Sequence, residues 1–390
     1  MQSAPRNTDN TPASGLPSTE GTLRPLLGAS ILSSVGSLPL HLAPLIVATL
    51  IADSVTSVER AGWIPSAMLL GQLSSSLALP ALKIHTVRRD VAIVAAIALL
   101  VGLAISSSTK FVIILAGWFL AGQCCGTLMY LGTIVASRFP RKSFAFSLRL
   151  AIVLILAGSV SSLLQATNAF TSYRTLLFEL ILVLVPILIC GMTLHRPVAE
   201  GPTKAEIAEG NVRSILQFSG LATVYLFFVG QIGFFAYVIQ QALARKMALN
   251  EAVWSLAAVK LTAGLWLIGL AFFGFGRQRK ERFVFVGIAL VSAMLTISYT
   301  LSIAVFFVAL FLFEVALNTL SARLQAAVVA ARPQFAGQWL TGVILLGAAT
   351  GPPLNGLAIS SGFASIFLVI SLLSALAPIV WHQLNTPGQE

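Results

Sequence analysis

The sequence predicts an all-α integral membrane protein with about twelve transmembrane helices in two six-helix pseudo-repeats. Of its 390 residues, 57% are hydrophobic and only 9% are charged, and the mean hydropathy is +0.91. A soluble globule of this size needs more polar residues to cover its surface. Twelve apolar stretches, each long enough to cross a bilayer as a helix, are divided six and six by one polar interval.

The chain divides into five predicted regions. Residues 1–24 are rich in Ser, Thr and Pro and lack the apolar core of a secretory signal, so we expect a disordered cytoplasmic tail. The N-terminal six-helix half spans 25–194, a cytoplasmic linker 195–213, the C-terminal half 214–384 and a short tail 385–390. We expect spans at about 26–51, 61–82, 91–108, 111–136, 144–166, 175–194, 214–243, 253–276, 283–300, 303–331, 335–360 and 363–382.

Basic residues are concentrated in the loops that this topology places on one side of the membrane. These loops hold clusters such as Arg141 with Lys142 and Arg279 with Lys280, whereas few Lys or Arg residues lie in the opposite loops. By the positive-inside rule, both termini are cytoplasmic. The loops then account for the net charge of +11 without a nucleic-acid partner. We expect a multi-pass protein of a bacterial cytoplasmic (inner) membrane.

Two residues of opposite charge lie deep inside predicted spans. Glu314 in the tenth span shares one helix face with Asn318, Ser321 and Gln325, which follow at intervals of three and four residues. Lys260 in the eighth span lies at a depth that differs by only about 6 Å, at about 1.5 Å per residue. Two interpretations stay open: a salt bridge that proton or substrate binding breaks, giving proton coupling, or a fixed pair that holds two helices together.

Three further polar residues lie within spans. His41 has Pro39 and Pro44 around it, so we expect a kink in the first span at this point. The imidazole there either senses pH and relays a proton or satisfies loosened backbone groups. Arg149 and Arg323 lie near the inner ends of the fifth and tenth spans, and we expect their side chains to reach the membrane surface.

The two halves carry related patterns of small residues. LAGSVSSLLQ in the fifth span and ATGPPLNGLA in the eleventh both place small residues four or five apart, which permits close helix approach. The sixth and twelfth spans both open with an aromatic residue followed shortly by Phe. We expect conformational roles for Gly158, Gly351, Pro352 and Pro353, because prolines bend a helix and glycines let one half rock on the other.

The two sets of six spans, the central linker and the GPPLNG sequence of the eleventh span resemble the major facilitator superfamily over nearly the whole chain after the tail. The usual loop of that superfamily, Gly-x-x-x-Asp-Arg-x-Gly-Arg-Arg, is degenerate here. PALKIHTVRR keeps only Arg88 and Arg89, to which the resemblance assigns a conformational role. In the fourth span, Trp118 stands where many proton-driven exporters of the superfamily carry an arginine.

The resemblance implies that the first, fourth, seventh and tenth spans line a central substrate cavity. Each of these spans carries a stripe of polar residues at helical spacing, although ordinary helix packing also explains any one stripe. The candidate cavity residues are Ser34, Ser37, His41, Gln123, Thr127, Tyr130, Tyr237, Gln241 and Asn318.

Several function classes are disfavoured by what the sequence lacks. It contains no G-x-x-x-x-G-K-[ST] nucleotide loop, its four histidines and three cysteines are scattered singly, and no nucleophile, base and oxyanion set occurs at usable spacing. We therefore expect neither an enzyme nor a cofactor or metal site. Packing roles are expected for Cys124, Cys125 and Cys190.

The expected function is secondary transport by alternating access, in which a small organic molecule such as a drug, metabolite or natural product is exported by proton antiport. Two alternatives stay open. One is a proton-coupled importer of an organic anion, which the basic balance of intramembrane charges slightly favours. The other is a non-transporting receptor or scaffold on the same fold. The expected partners are the substrate, protons and the lipid bilayer, and the chain is expected to be a monomer.

Overall fold

The computed structural model of the chain is a bundle of α-helices. The residues that the structure describes form twelve α-helices and one short 3-10 helix, Ala169–Thr171, and contain no β-strand. The predicted all-α fold with about twelve helices is confirmed. The described residues are 19–53, 55, 63–82, 89–139, 141–194, 212–235, 238, 246, 248–273, 280–300, 302–331, 333–360 and 364–385.

Six of these helices belong to each half of the chain. The predicted linker falls largely outside the described residues, which resume at Val212. The first half comprises α1 (Thr19–Ala52), α2 (Trp63–Ala81), α3 (Arg89–Ser106), α4 (Phe111–Arg138), α5 (Lys142–Ala166) and α6 (Tyr173–Leu194). The second half comprises α7 (Val212–Phe235), α8 (Leu249–Phe273), α9 (Lys280–Tyr299), α10 (Ile303–Ala331), α11 (Pro333–Ser360) and α12 (Ala364–Asn385).

The helices have the length and surface of membrane spans. Within the described ranges, nine helical segments are long and apolar enough to cross a bilayer, and α2, α9 and α11 each contribute a shorter apolar segment. Large apolar side chains such as Val112, Phe178 and Phe285 are mostly exposed on the outside of the bundle. Such a surface is stable against lipid and not against water, so the chain is a multi-pass membrane protein.

The helix contacts repeat between the two halves. The first helix of each half packs against the fifth and sixth, as α1 does with α5 and α6 and α7 does with α11 and α12. Across the boundary, α5 packs along α8 and α2 packs against α11, so the fifth helix of one half meets the second helix of the other in both places. This reciprocal pairing is what a pseudo-twofold relation between halves produces.

The last helices of the halves also correspond. Both α6 and α12 are 22 residues long, and each carries a proline in its interior, Pro186 and Pro378. An interior proline removes one backbone hydrogen bond and bends a helix. The two halves therefore share an interior proline at nearly the same position of the sixth helix.

One end of the bundle carries the end of α6 and the start of α7, and we call it the linker side. Successive helices alternate in direction, so odd-numbered helices begin on this side and even-numbered helices end on it. Depth can then be counted along each helix at about 1.5 Å per residue. His41, Lys260 and Glu314 lie well away from the linker side, whereas Arg149 lies about two turns from it.

Candidate functional site

Three helices bring His41, Lys260 and Glu314 together in the interior of the bundle, and we call these residues the charge cluster. The Nζ atom of Lys260 on α8 lies 3.0 Å from Oε1 of Glu314 on α10. The same Nζ lies 3.2 Å from Nδ1 of His41 on α1. Because α1 belongs to the first half and α8 and α10 to the second, the cluster joins the two halves.

Neighbouring groups complete the coordination of both charges. Asn318, one turn after Glu314, donates through Nδ2 to Oε2 of the carboxylate at 2.9 Å and to the backbone oxygen of Glu314 at 2.8 Å. The ring of Phe235 on α7 lies under the ammonium group, with Nζ 5.1 Å from the ring centroid. Phe313 stacks on Phe235 at 6.0 Å with an interplanar angle of 4°. Aromatic faces attract a cation and exclude water from it.

The two charged residues of the cluster are almost sealed from solvent and lipid. Lys260 is 2% exposed and Glu314 is 3% exposed. In such surroundings a charge is stable only with a partner, so loss of either charge leaves the other strongly disfavoured. The arrangement can therefore respond to a proton on Glu314 or to an anion beside Lys260 by breaking the pair.

A second buried cation, Arg149 on α5, lies nearer the linker side. It is 3% exposed, donates from Nη1 to Oγ of Ser33 on α1 at 3.1 Å, and donates from Nη2 to Oε1 of Gln325 on α10 at 2.8 Å. Gln325 in turn donates to Oγ of Ser321 at 2.8 Å. The expectation that Arg149 extends to the membrane surface is wrong, because neighbouring polar groups on α1 and α10 hold the guanidinium inside the bundle.

Comparison with solved structures finds the same architecture in two transporters. The human organic anion transporter MFSD10 (TETRAN) superposes with a TM-score of 0.70 at 16% identity, covering 92% of this chain and 98% of that one. The Escherichia coli fucose:proton symporter FucP gives a TM-score of 0.68 at 12% identity, covering 94% of this chain and all of that one. Both are transporters of the major facilitator superfamily. This chain has the major facilitator fold. No family sequence model and no curated protein sequence matches it.

The major facilitator fold brings some predicted cavity residues to the charge cluster and places others elsewhere. His41 belongs to the cluster, and Asn318 contacts its carboxylate directly. Ser34 and Ser37 are buried and donate to backbone carbonyls one turn earlier in α1, at 2.7 Å and 3.0 Å. Tyr130 is fully buried in α4. These positions do not test a substrate role, which stays a prediction for all five residues.

Gln123 and Thr127 line a cavity in the first half, away from the charge cluster. Its volume is about 340 Å³, and it lies between α2, α3 and α4, with Leu79, Asp90 and Val94 among its lining residues. Gln123 donates to Oγ of Ser74 on α2 at 3.4 Å, and Thr127 donates to the backbone oxygen of Gln123 at 3.0 Å. Both side chains are thus engaged within the first half and not at the charge cluster.

The remaining predicted residues divide between helix contacts and positions outside the described residues. Gly158 lies where α5 meets α8, and Gly351 where α11 meets α7. Arg89 is the first residue of α3 and is exposed. Pro352 and Pro353 lie within α11. Arg88, Tyr237 and Gln241 lie outside the described residues.

Sequence reasoning missed the partners of Arg149 and the aromatic face beneath Lys260. Gln325 was already on the polar face of α10, and Ser33 is next to the polar stripe of α1, so both carried a usable signal. Phe235 carried no such signal, because nothing in the sequence distinguishes a phenylalanine that contacts a cation from the many other apolar residues. In the part of the chain that the structure describes, no group of three His, Cys, Asp or Glu residues is placed to hold a metal ion.

Proposed function

We propose that this chain is a proton-coupled secondary transporter of a small organic anion, with Glu314 as the proton site and Lys260 as the anion site. The observation that carries the proposal is the buried Lys260–Glu314 ion pair at the junction of the two halves. Substrate sites of transporters with internal repeats lie at this kind of junction. Intramembrane ionisable residues also mark substrate and proton pathways more often than they serve packing.

The geometry couples the two ligands in a defined sense. A proton on Glu314 removes the negative charge and leaves the Lys260 ammonium without its counter-ion. An anion that enters then restores the balance. By thermodynamic reciprocity, the bound anion raises the affinity for the proton as much as the proton raises the affinity for the anion. Ligands that favour each other in this way cross together, which is symport.

Proton antiport, the first expectation from sequence, needs the substrate and the proton to compete for one site. A cationic substrate would compete for Glu314, but Lys260 lies 3.0 Å from that carboxylate and repels a second cation. The names of two structural neighbours, an organic anion transporter and a fucose:proton symporter, also favour an anion as the substrate and symport as the coupling. The direction of flux then follows the two gradients, and an inward proton gradient drives import.

The proposed function also includes an orientation of the chain in the membrane and a transport cycle. We place the linker side and both termini in the cytoplasm of a bacterial cell, because basic loops remain inside. The chain works as a monomer that alternates between states open to either side, with the charge cluster near the centre of the path. The alternative hypothesis, a non-transporting receptor or scaffold, predicts no proton flux, so an assay of proton movement also tests that alternative.

The direct test measures proton movement in liposomes that contain the purified chain and a trapped pH-sensitive dye. A panel of membrane-impermeant organic anions is added outside with the membrane potential clamped. Symport predicts acidification of the lumen by at least one anion, whereas antiport predicts alkalinisation. Empty liposomes and the lipid-facing variant Thr262→Ala on α8 are the controls.

The variant Glu314→Gln separates proton coupling from binding. It should abolish the acidification while leaving exchange of labelled anion for unlabelled anion, since the anion site remains and the proton site is gone. If Glu314→Gln acidifies the lumen as fast as the wild type, Glu314 is not the proton site. If no anion of the panel moves protons in the wild type, the proposed function is wrong.

A further inference from the structure

We propose that Arg149 forms a second anion site, on the linker side of the charge cluster, which binds the carboxylate group of the transported anion when the two halves separate there. The inference rests on the proposed function in that it names the chemical group of the same substrate. It adds a residue, Arg149, and a position along the path that the charge cluster does not include.

The first argument is the charge of Arg149. Its contacts within the described residues are Oγ of Ser33, Oε1 of Gln325 and the ring of Phe146, whose centroid lies 5.6 Å from the guanidinium carbon. All three partners are neutral. The Nε atom is buried and has no hydrogen-bond partner among the described residues. A guanidinium that is 3% exposed without a counter-ion is costly, and that cost falls when an anion binds beside it.

The second argument is the position of Arg149 at the boundary between halves. Its helix α5 and the Ser33 helix α1 belong to the first half, whereas Gln325 belongs to the second. When the halves part on the linker side, as alternating access requires, Nη2 loses the Gln325 amide oxygen while Nη1 keeps Ser33. The freed Nη2 then faces the opening path, and an oxygen of the ligand can take the place of Oε1.

The third argument connects the two cations along one surface. Gln325 and Glu314 lie on the same polar face of α10, eleven residues and therefore about 16 Å apart. An anion that moves along this face meets Arg149 at the linker side and Lys260 further in. The two sites are then successive positions on one path, and each is a cation buried at the junction of the halves.

The guanidinium favours a carboxylate over other anions of similar charge. Its planar fork offers parallel N–H groups that match the two oxygens of a carboxylate. Here Nη2 and the unpartnered Nε point along one edge of the fork, and together they provide the two donors of such a pair. The Ser33 hydroxyl holds the other edge and fixes the orientation of the plane.

The first test places a negative charge beside Arg149 by a substitution within the protein. In Gln325→Glu, a carboxylate replaces the amide whose oxygen lies 2.8 Å from Nη2. The expected results are a thermal midpoint several degrees above that of the wild type in detergent micelles and a smaller stabilisation by added carboxylates than in the wild type. Benzoate, acetate and gluconate serve as probes, and the corresponding amides, which have nearly the same shape and no charge, serve as controls.

The variant Arg149→Met provides the second measurement. Because it removes an uncompensated buried charge, it should unfold at or above the wild-type temperature, and carboxylates should stabilise it less than they stabilise the wild type, with only Lys260 left to bind them. The variant Thr262→Ala on the lipid face of α8 is the control, and it should keep the carboxylate response. A lowered midpoint in both Gln325→Glu and Arg149→Met, or equal effects of carboxylates and amides on the wild type, would overturn the proposal.

This result is independent of the proton assay. Carboxylate stabilisation that depends on Arg149, in a protein that moves no protons, would keep the anion site and reject proton coupling. Proton-coupled anion transport that survives in Arg149→Met without change would keep the proposed function and reject the second site.

Discussion

At the scale of single residues, the Lys260–Glu314 pair is a source of fold stability as well as a candidate coupling site. Two opposite charges 3.0 Å apart, with Asn318 on the carboxylate and Phe235 under the ammonium, form a unit that is nearly neutral. Such a unit is tolerated in the interior, whereas one half of it is not. The pair therefore predicts a non-additive pattern of stability among its variants.

We expect Glu314→Gln and Lys260→Met each to lower the free energy of unfolding by about 3–5 kcal/mol, because each leaves one buried charge without its partner. The double variant should lose much less than the sum, since it leaves no charge behind. Unfolding by denaturant in micelles measures all three, and Thr262→Ala on the lipid face of α8 is the neutral control. Additive losses would mean that the two residues do not act as a pair.

Sequence reasoning placed Lys260 and Glu314 at similar depth because depth is set by counting residues along helices. It misplaced Arg149 by the same method. Counting showed that Arg149 lies near a helix end, which is where long basic side chains reach the surface. It did not show that Ser33 and Gln325, distant in sequence, present acceptors to the guanidinium inside the bundle. The position of the Arg149 side chain is therefore set by tertiary contacts and not by its distance from the helix end.

At the scale of helices, the α5–α8 contact depends on glycine. A Cβ atom added at Gly158 would lie 2.8 Å from Cγ of Leu261 and 2.9 Å from the backbone oxygen of Ala257, so the two helices pack where only a hydrogen fits. On α8 itself, a Cβ at Gly269 would meet no atom within 4 Å. A substitution by alanine therefore adds a methyl group to a filled space at Gly158 and to an open space at Gly269.

We expect Gly158→Ala to lower stability by about 1–3 kcal/mol, because the added methyl group pushes α5 away from α8. Gly269→Ala should leave stability unchanged or raise it by up to about 1 kcal/mol through helix propensity alone. Thermal unfolding of both variants in the same detergent makes the comparison. If Gly158→Ala were as stable as Gly269→Ala, close packing at Gly158 would not be required for the fold.

The spacing of small residues in the fifth span was visible in sequence, but the partner helix was not. Small residues mark a face that approaches another backbone and do not say which one. The twelve helices and their division into two sets of six were predictable because hydropathy, helix length and the polar interval are local properties. The reciprocal α5–α8 and α2–α11 contacts depend on how the halves assemble.

At the scale of the whole molecule, the two halves are joined on the linker side by contacts that the proposed transport cycle has to break. Arg149 on α5 bonds to Gln325 on α10, and Thr341 on α11 donates to the Thr133 hydroxyl oxygen on α4 at 2.7 Å. All four residues lie between one and about two turns from the linker-side ends of their helices. The structure thus represents a state in which the halves meet on that side.

A disulfide between positions 133 and 341 should hold the protein in this state. The hydroxyl oxygens of Thr133 and Thr341 are 2.7 Å apart, close to the sulfur separation of about 2.05 Å in a disulfide. We expect Thr133→Cys with Thr341→Cys, in a chain whose native cysteines are replaced by alanine, to oxidise readily and to lose anion flux in liposomes. Reduction should restore the anion flux, because no contact at the charge cluster has changed.

The single variants, treated with the same oxidant, should retain flux. Full flux through the oxidised double variant would show that the halves need not separate on the linker side during transport.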